Sequence, residues 1–347
     1  MAARPLRRTG AITGAAGVVL AMLAITSPPG DAATQAPGGP GSLSRFDLAR
    51  KDCVGTAQNT GSKVWFTVAD GVLSDVYEPT IDNTNVHTLQ YVVTDGRTFT
   101  DLQTRDLTYT VAADPSGMEC TVTATSAAHG YTLTTDYLTD PARDSVVMHT
   151  TLSGPHAQGL QVYARLDAIV NGNGGGGASN GGADDGIVTA AGVPVASDPN
   201  TVSQAANRDY AVPTSMAMTA DDQGPASVGY ADSPSDGLTS LDQTHALSRW
   251  TDAPDGHVVA TERVNPHPGT NAFTVALGFG RTPAEAVDTA QSSTHGSFRS
   301  LENAYAKTWR RYDAGLRQPT GMSASEQRAY WLSANVLKAS EDKTFPG

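Results

Sequence analysis

Carboxylates dominate the ionisable side chains of this sequence, with 35 Asp and Glu against 23 Lys and Arg. They gather in short clusters: Asp75, Glu78 and Asp82; Asp136, Asp140 and Asp144; Asp184 and Asp185; Glu341 and Asp342. Two carboxyls in the right geometry divide the work of general acid and general base, but that pairing is spatial, and no spacing here nominates a pair. Most of these acids read as turn residues or solvated strand faces. The segment Asp136–Asp144, dense in Asp, Arg and Pro, reads as an ordered connection between strands. Asn171–Gly177 contains a GxGxxG spacing at Gly172, Gly174 and Gly177, yet the following Ala178–Asp185 is not helical, so no helix N-terminus awaits a phosphate. Asn173, Asn180, Asp184 and Asp185 around it offer calcium-type oxygen ligands, without EF-hand spacing. His87, His129, His149, His156, His245, His257, His267 and His295 form no HExxH and no close metal pair, so neither a metal centre nor a cofactor is expected. Gly321–Ser325 lacks the closing glycine of a nucleophile elbow and reads as a helix cap.

The elements that must position such residues begin after an address. Arg4, Arg7 and Arg8 precede an apolar run from Ala11 to Ile25, broken by Pro28, Pro29 and Gly30 before the small residues Ala32 and Ala33. This is the form of a secretory signal over 1–32, its apolar run shorter than the ~20 residues a spanning helix needs. Cleavage after Ala32 removes three basic residues and one acidic one, taking the net charge from −12 to −14. An acidic chain without a basic face does not suit nucleic acid, and no later segment suits a membrane. Export also places Cys53 and Cys120 in an oxidising environment, where they fit either one disulfide or two buried thiols. Residues 33–49, rich in Pro, Gly and Ser, read as a flexible lead-in.

From Lys63 to Gly280 the hydrophobic period is mostly two. Lys63–Val68, Leu89–Val93, Leu107–Val111, Cys120–Ala124, Tyr131–Thr135, Val146–His149, Leu160–Leu166, His257–Thr261 and Phe273–Leu277 are strand-like. Asp70-Gly71, Asp95-Gly96, Ser116-Gly117, His129-Gly130 and Asp255-Gly256 mark turns between them. This spacing predicts a large antiparallel sandwich over 50–281 rather than a parallel α/β fold. At Thr282-Pro-Ala-Glu285 the pattern becomes helical, with Ala286, Ala290, Phe298, Leu301, Tyr305, Trp309 and Tyr312 on one face and a break near Gly296. Ser323-Ala-Ser-Glu326 caps a further helix, on which Tyr330, Trp331, Ala334 and Leu337 need partners.

Several stretches together resemble the N-terminal domain of bacterial glucoamylases and glucodextranases, glycoside hydrolase family 15. They are Asp52–Thr56, Ser62–Tyr77, Pro79–Asn85, Leu89–Gly96, Asp136–Pro141, Val170–Gly174, Ala206–Tyr210 and Ser235–Gly237. The resemblance runs in order from Arg50 onward. It implies a super-sandwich at 50–281, linker helices at 282–321, and at 322–347 the start of an (α/α)6 barrel. It also implies a secreted, monomeric, exo-acting enzyme that inverts configuration while releasing glucose from the non-reducing ends of starch-type or dextran-type α-glucans. The family's two catalytic carboxylates lie further along the barrel, so no catalytic residue is expected in this chain. By position alone, Asp342 and Lys343 are candidates to border the substrate pocket, with ordinary loop charge as the alternative. The competing expectation is a carbohydrate-binding sandwich without catalysis, which needs Trp65, Trp250 and tyrosines on an exposed platform, although Trp65 lies in an alternating strand.

Overall fold

Alternation is visible along Glu119–Ser126, where every second residue is buried, and it continues into Tyr131–Thr139. The structure, a computed structural model, describes residues 1, 33–43, 48, 50–114, 118–172, 183–199 and 212–345. The signal-like segment, the glycine-rich run from 173 and Ala206–Tyr210 lie outside the described residues.

The first half of the described chain supplies β1 (Cys53–Thr56), β2 (Trp65–Ala69), β3 (Val72–Tyr77), β4 (Val86–Thr94), β5 (Thr100–Leu102), the single turn α1 (Gln103–Asp106), β6 (Thr108–Asp114), β7 (Glu119–Ser126), β8 (Tyr131–Thr139), β9 (Ser145–Ser153) and β10 (Gln161–Ala168). Then come β11 (Asp184–Val188), β12 (Pro194–Asp198), β13 (Thr214–Ala220), β14 (Gln223–Tyr230), α2 (Gly237–Thr244), β15 (Asp252–Gly256), β16 (Val258–Val264) and β17 (Ala272–Gly280). Helices α3 (Pro283–Thr294), α4 (Phe298–Gly315) and α5 (Ala324–Ala339) follow. One sheet of eight strands runs β1-β2-β3-β4-β10-β16-β14, with β5 beside β4. The other, of nine, runs β15-β11-β12-β13-β17-β9-β8-β7-β6. Neighbouring strands within both are antiparallel, so the fold is mainly β, two antiparallel sheets forming a sandwich.

The main core lies between the sheets. Leu73, Leu89 and Tyr91 of the first face Leu133, Met148 and Phe273 of the second, all fully or almost fully buried. Tyr91 meets Phe273 edge-on at 5.4 Å and hydrogen-bonds Thr150 Oγ1 at 2.8 Å. The Cys53–Cys120 disulfide joins β1 of the first sheet to β7 of the second. A third layer covers the outside of the nine-stranded sheet. Leu138, Val147, Ala217 and Ala276 point outward from it and meet Ala286, Ala290, Tyr305 and Trp309 of α3 and α4. At Gly278 a β-carbon would stand 2.3 Å from the Ala290 nitrogen, so glycine sets the closeness of α3 to β17. The segment read as linker helices is therefore a packed layer of the sandwich.

Two further readings need correction. The flexible lead-in does not hold over residues 34–42. Gln35 pairs in parallel with Asp252, Ala36 N donates to Asp252 O at 2.7 Å, and His257 N donates to Pro40 O at 2.8 Å. Strand β15 lies at a sheet edge and offers the unpaired groups that the segment takes up. Its glycines wrap Tyr230 instead of loosening the chain: a β-carbon at Gly41 would stand 2.9 Å from Tyr230 Cβ. In the Asp136–Asp144 connection, the first four residues belong to β8. Only Asp140–Asp144 turns, closed by the Asp140–Arg143 ion pair at 2.9 Å.

Candidate functional site

Perturbed ionisable groups collect at the end of the sandwich where the chain beyond α5 folds back onto it. A capping box starts α5: Ser323 and Glu326 satisfy each other's backbone N–H groups. The helix turns Asn335, Val336 and Ala339 toward the sandwich and leaves Tyr330, Trp331, Ala334 and Leu337, the residues that need partners, partly or largely exposed. Leu337 is 75% exposed and Leu332 43%. Beside this contact lies a mainly apolar cavity of about 230 Å³ between Trp65, Phe66, Tyr77, Val336 and Ala339.

Polar anchors close the seam. Trp65 Nε1 donates to Ala339 O at 2.7 Å, fixing the last turn of α5. Lys343 places its ammonium on Thr56 Oγ1 (2.6 Å), Ala57 O (2.6 Å) and Ser62 O (3.0 Å), with the Trp65 ring 5.0 Å away. Asp342 Oδ2 accepts from Ile81 N at 3.0 Å, while its Oδ1 caps the N–H groups of Thr344 and Phe345. Thr344 Oγ1 donates to Pro79 O at 2.6 Å. Thr56 is the common point: its carbonyl also accepts from Tyr305 OH (2.8 Å) and Trp309 Nε1 (2.9 Å) of α4. Asp342 and Lys343, the two candidate substrate-pocket residues, thus spend their hydrogen bonds on holding the chain to itself.

Burial pulls the Lys343 ammonium down to about 7, against the pull of Asp144, which favours its charge. Nearby, burial pushes the Glu78 carboxyl up to about 7, although the Arg281 guanidinium is ion-paired to it. Perturbed groups near neutrality are a signature of catalytic sites, and here geometry decides against that reading. The Glu78 side chain is fully buried and paired with Arg281, out of a substrate's reach. All three donors of Lys343 are engaged. Around Glu78 the Pro79–Asn85 segment folds into a closed amide network. Asn83 and Asn85 both donate to Glu78 O at 2.9 Å, and Asn83 also reaches Asn171 Oδ1 at 3.0 Å.

A second buried cluster has the look of catalytic machinery without its nucleophile. His257 Nε2 hydrogen-bonds Asp167 Oδ1 at 2.6 Å, and its Nδ1 faces the Ser42 carbonyl at 3.1 Å rather than a hydroxyl. Burial opposes the Asp167 charge, but His257, His87 and Arg165 hold the carboxyl well below its usual range. Arg165 in turn forks onto Asp236, the N-cap of α2. This cluster pins the 34–42 segment and α2 to the sandwich.

Of the calcium-type ligands, Asn173 and Asn180 lie outside the described residues. Asp184 Oδ2 accepts from Val170 N at 2.9 Å, and Asp185 Oδ1 from Asp255 N at 3.0 Å. Among the described residues no group of three or more His, Cys, Asp or Glu is placed to hold a metal. Trp65 is buried under α5 and Trp250 packs against the main core, so neither forms an exposed platform. No described helix is long and apolar enough to cross a membrane. The anchoring roles of Thr56 and Trp65 had no sequence signal. Lys343 sits in an ordinary charged run, Glu341–Lys343, and its burial is purely tertiary.

A family model described as glucodextranase, domain N, matches residues 36–314. A glucoamylase of Clostridium sp. (strain G0005) is 29% identical over 312 residues, covering 89% of this chain and 42% of the relative. Among solved structures, a bacterial glucoamylase complexed with acarbose superposes with a TM-score of 0.76 at 27% identity, covering 90% of this chain and 44% of that one. A family GH92 inverting mannosidase of Bacteroides thetaiotaomicron VPI-5482 shares the fold alone, with a TM-score of 0.50 at 11% identity. The chain spans less than half the length of either glucoamylase.

Proposed function

Since the chain belongs to the glucodextranase N-domain family, we propose that it is the N-terminal portion of a secreted α-glucan hydrolase, a sandwich on which a helical catalytic domain is seated. The observation that carries this reading is the asymmetry of α5. One side is fastened to the sandwich through Trp65 and, just beyond the helix, Lys343, while the opposite side leaves Leu337 bare beside a half-buried Tyr330. An apolar flank exposed on an anchored helix forgoes roughly 1.5–3 kcal/mol per large side chain, which further helices packed on it would recover. The likeness to glucoamylases supplies the chemistry: exo-acting hydrolysis with inversion, one carboxylic acid protonating the glycosidic oxygen while a second carboxylate activates water about 6.5–9.5 Å away. No residue of this chain takes either role. The signal-like residues 1–32 and the Cys53–Cys120 disulfide favour an extracellular destination.

The test is to read the coding DNA past the Gly347 codon, express the whole reading frame and follow the anomer released from maltotriose and from isomaltotriose. A helical continuation that releases β-glucose is the expected result. A stop codon directly after Gly347, or a whole protein without α-glucan hydrolysis, would overturn the reading.

A further inference from the structure

The end of the sandwich opposite α5 carries a built polar groove that the seam does not use. Strand β8 runs from the 127–130 turn to the Asp140–Asp144 turn near the seam; its nine residues put the two ends about 30 Å apart. At the far end two recesses, of about 390 and 470 Å³, meet at Gln158. One is floored by Phe99, whose ring stacks on His129 with centroids 3.7 Å apart and planes within 9°. The other is bordered by Ser153 and Asn271.

His129 is held from behind. Its Nδ1 donates to Asp101 Oδ2 at 2.8 Å, and the same oxygen accepts from Ser126 Oγ and Tyr131 OH, each at 2.9 Å. The Asp101 side chain is only 6% exposed, while His129 is 33% exposed. With Nδ1 committed, Nε2 is the ring's remaining polar atom. His156 is also seated: its ring lies over Gly130, where a β-carbon would stand 2.6 Å from His156 Cδ2. A fixed first contact supported by buried hydrogen bonds is the construction of a binding site rather than of an idle loop cluster.

The lining decides the ligand class. Neither recess is bordered by Lys or Arg, so an anion finds no counter-charge. Among the described residues no set of three metal-type ligands is present. Beside Phe99 the apolar lining is Ala128, Leu160, Pro155 and the buried Leu152 and Ala157, which leaves too little apolar surface for a lipid. An aromatic–imidazole stack bordered by the Asp95 carboxylate, His156, the Gln158 and Asn271 amides and the Thr98 and Ser153 hydroxyls matches a molecule with alternating C–H faces and O–H edges. We propose that this groove binds a short neutral oligosaccharide, an α-glucan segment, far from the seam, so that the sandwich holds the polymer as well as seating a catalytic domain. The assignment to α-glucan rests on the function proposed above; the suitability for a neutral saccharide does not.

Titration of the chain with maltoheptaose and isomaltoheptaose by calorimetry tests this. The expected result is saturable binding of at least one of them, weakened at least tenfold in the His156→Ala/Gln158→Ala double variant at unchanged melting temperature; both side chains are exposed. Absence of saturable binding, or equally tight binding by the double variant, would overturn it. Hydrolysis of maltotriose or isomaltotriose by the whole reading frame, measured in parallel, separates the two ideas. Hydrolysis without groove binding overturns the groove alone, and groove binding without hydrolysis overturns the enzyme reading alone.

Discussion

Helices α4 and α5 both lie against the sandwich, and they are held in opposite ways. Under α4, Tyr305 and Trp309 are completely buried in an apolar layer with Leu138 and Val147, and their polar tips are satisfied on Thr56 and Met118 carbonyls. Under α5, the buried residues are Asn335 and Ala339, a cavity adjoins them, and the fastening is mostly polar. Apolar contact over a wide area makes α3 and α4 part of the folding unit. Hydrogen bonds, each worth about 1 kcal/mol net, fix where α5 lies without making it strongly held. The first arrangement suits a core, the second a joint.

The largest expected effect falls on the α4 side. Trp309→Ala removes a fully buried side chain and two of its roles, packing and the bond to Thr56 O, and should lower global stability by about 3–5 kcal/mol in denaturant titration. A loss below about 1 kcal/mol would mean that α4 is no more integral than α5.

A second contrast is in pH dependence. Burial pushes the Glu262 carboxyl up to about 8, with only Ala220 N opposing it, and Glu78 to about 7. These acids bind more protons folded than unfolded, so their stabilisation is complete at pH 4 and is lost as pH rises through 5 to 8, at ~1.4 kcal/mol per pH unit for each proton. Glu262→Gln should flatten that decline by about one proton in melts across this range; an unchanged slope would contradict it.

Smaller still is the effect expected of Lys343→Met. It strips donors from the Thr56, Ala57 and Ser62 oxygens, at about 1–3 kcal/mol of local docking energy, and should leave the global melting midpoint nearly unchanged. Limited proteolysis around residues 323–345 checks it: faster cleavage with an unmoved melt is expected, and a large drop in the melt would place Lys343 in the core instead.

The same contrast explains what could be read beforehand. Strands β7 and β8 were legible because one face is in the core and the other is not, leaving a period of two in Cys120-Thr-Val-Thr-Ala124. Strand β13 was not, since α3 covers its second face and every residue of Thr214–Ala220 is buried. Asp255-Gly256 reads as a turn, yet Asp252–Gly256 forms β15, where an edge tolerates Pro254. The caps at Thr282 and Ser323 are local chemistry and were readable as such. The inward face of α5 was not: nothing local marks Asn335, Val336 and Ala339 as the side that the anchors at Trp65, Thr56 and Lys343 select. The groove was equally hidden, because Phe99, His129, His156 and Gln158 come from three separate turns.

The most direct test of the joint is amide hydrogen exchange of the chain, comparing 298–315 with 324–339. Slow, globally limited exchange is expected in α4 and exchange through local opening, at least a hundredfold faster, in α5. Equal protection of the two helices would show that α5 is as much a part of the folded core as α4 and would contradict the reading of its bare flank as a seat for further helices.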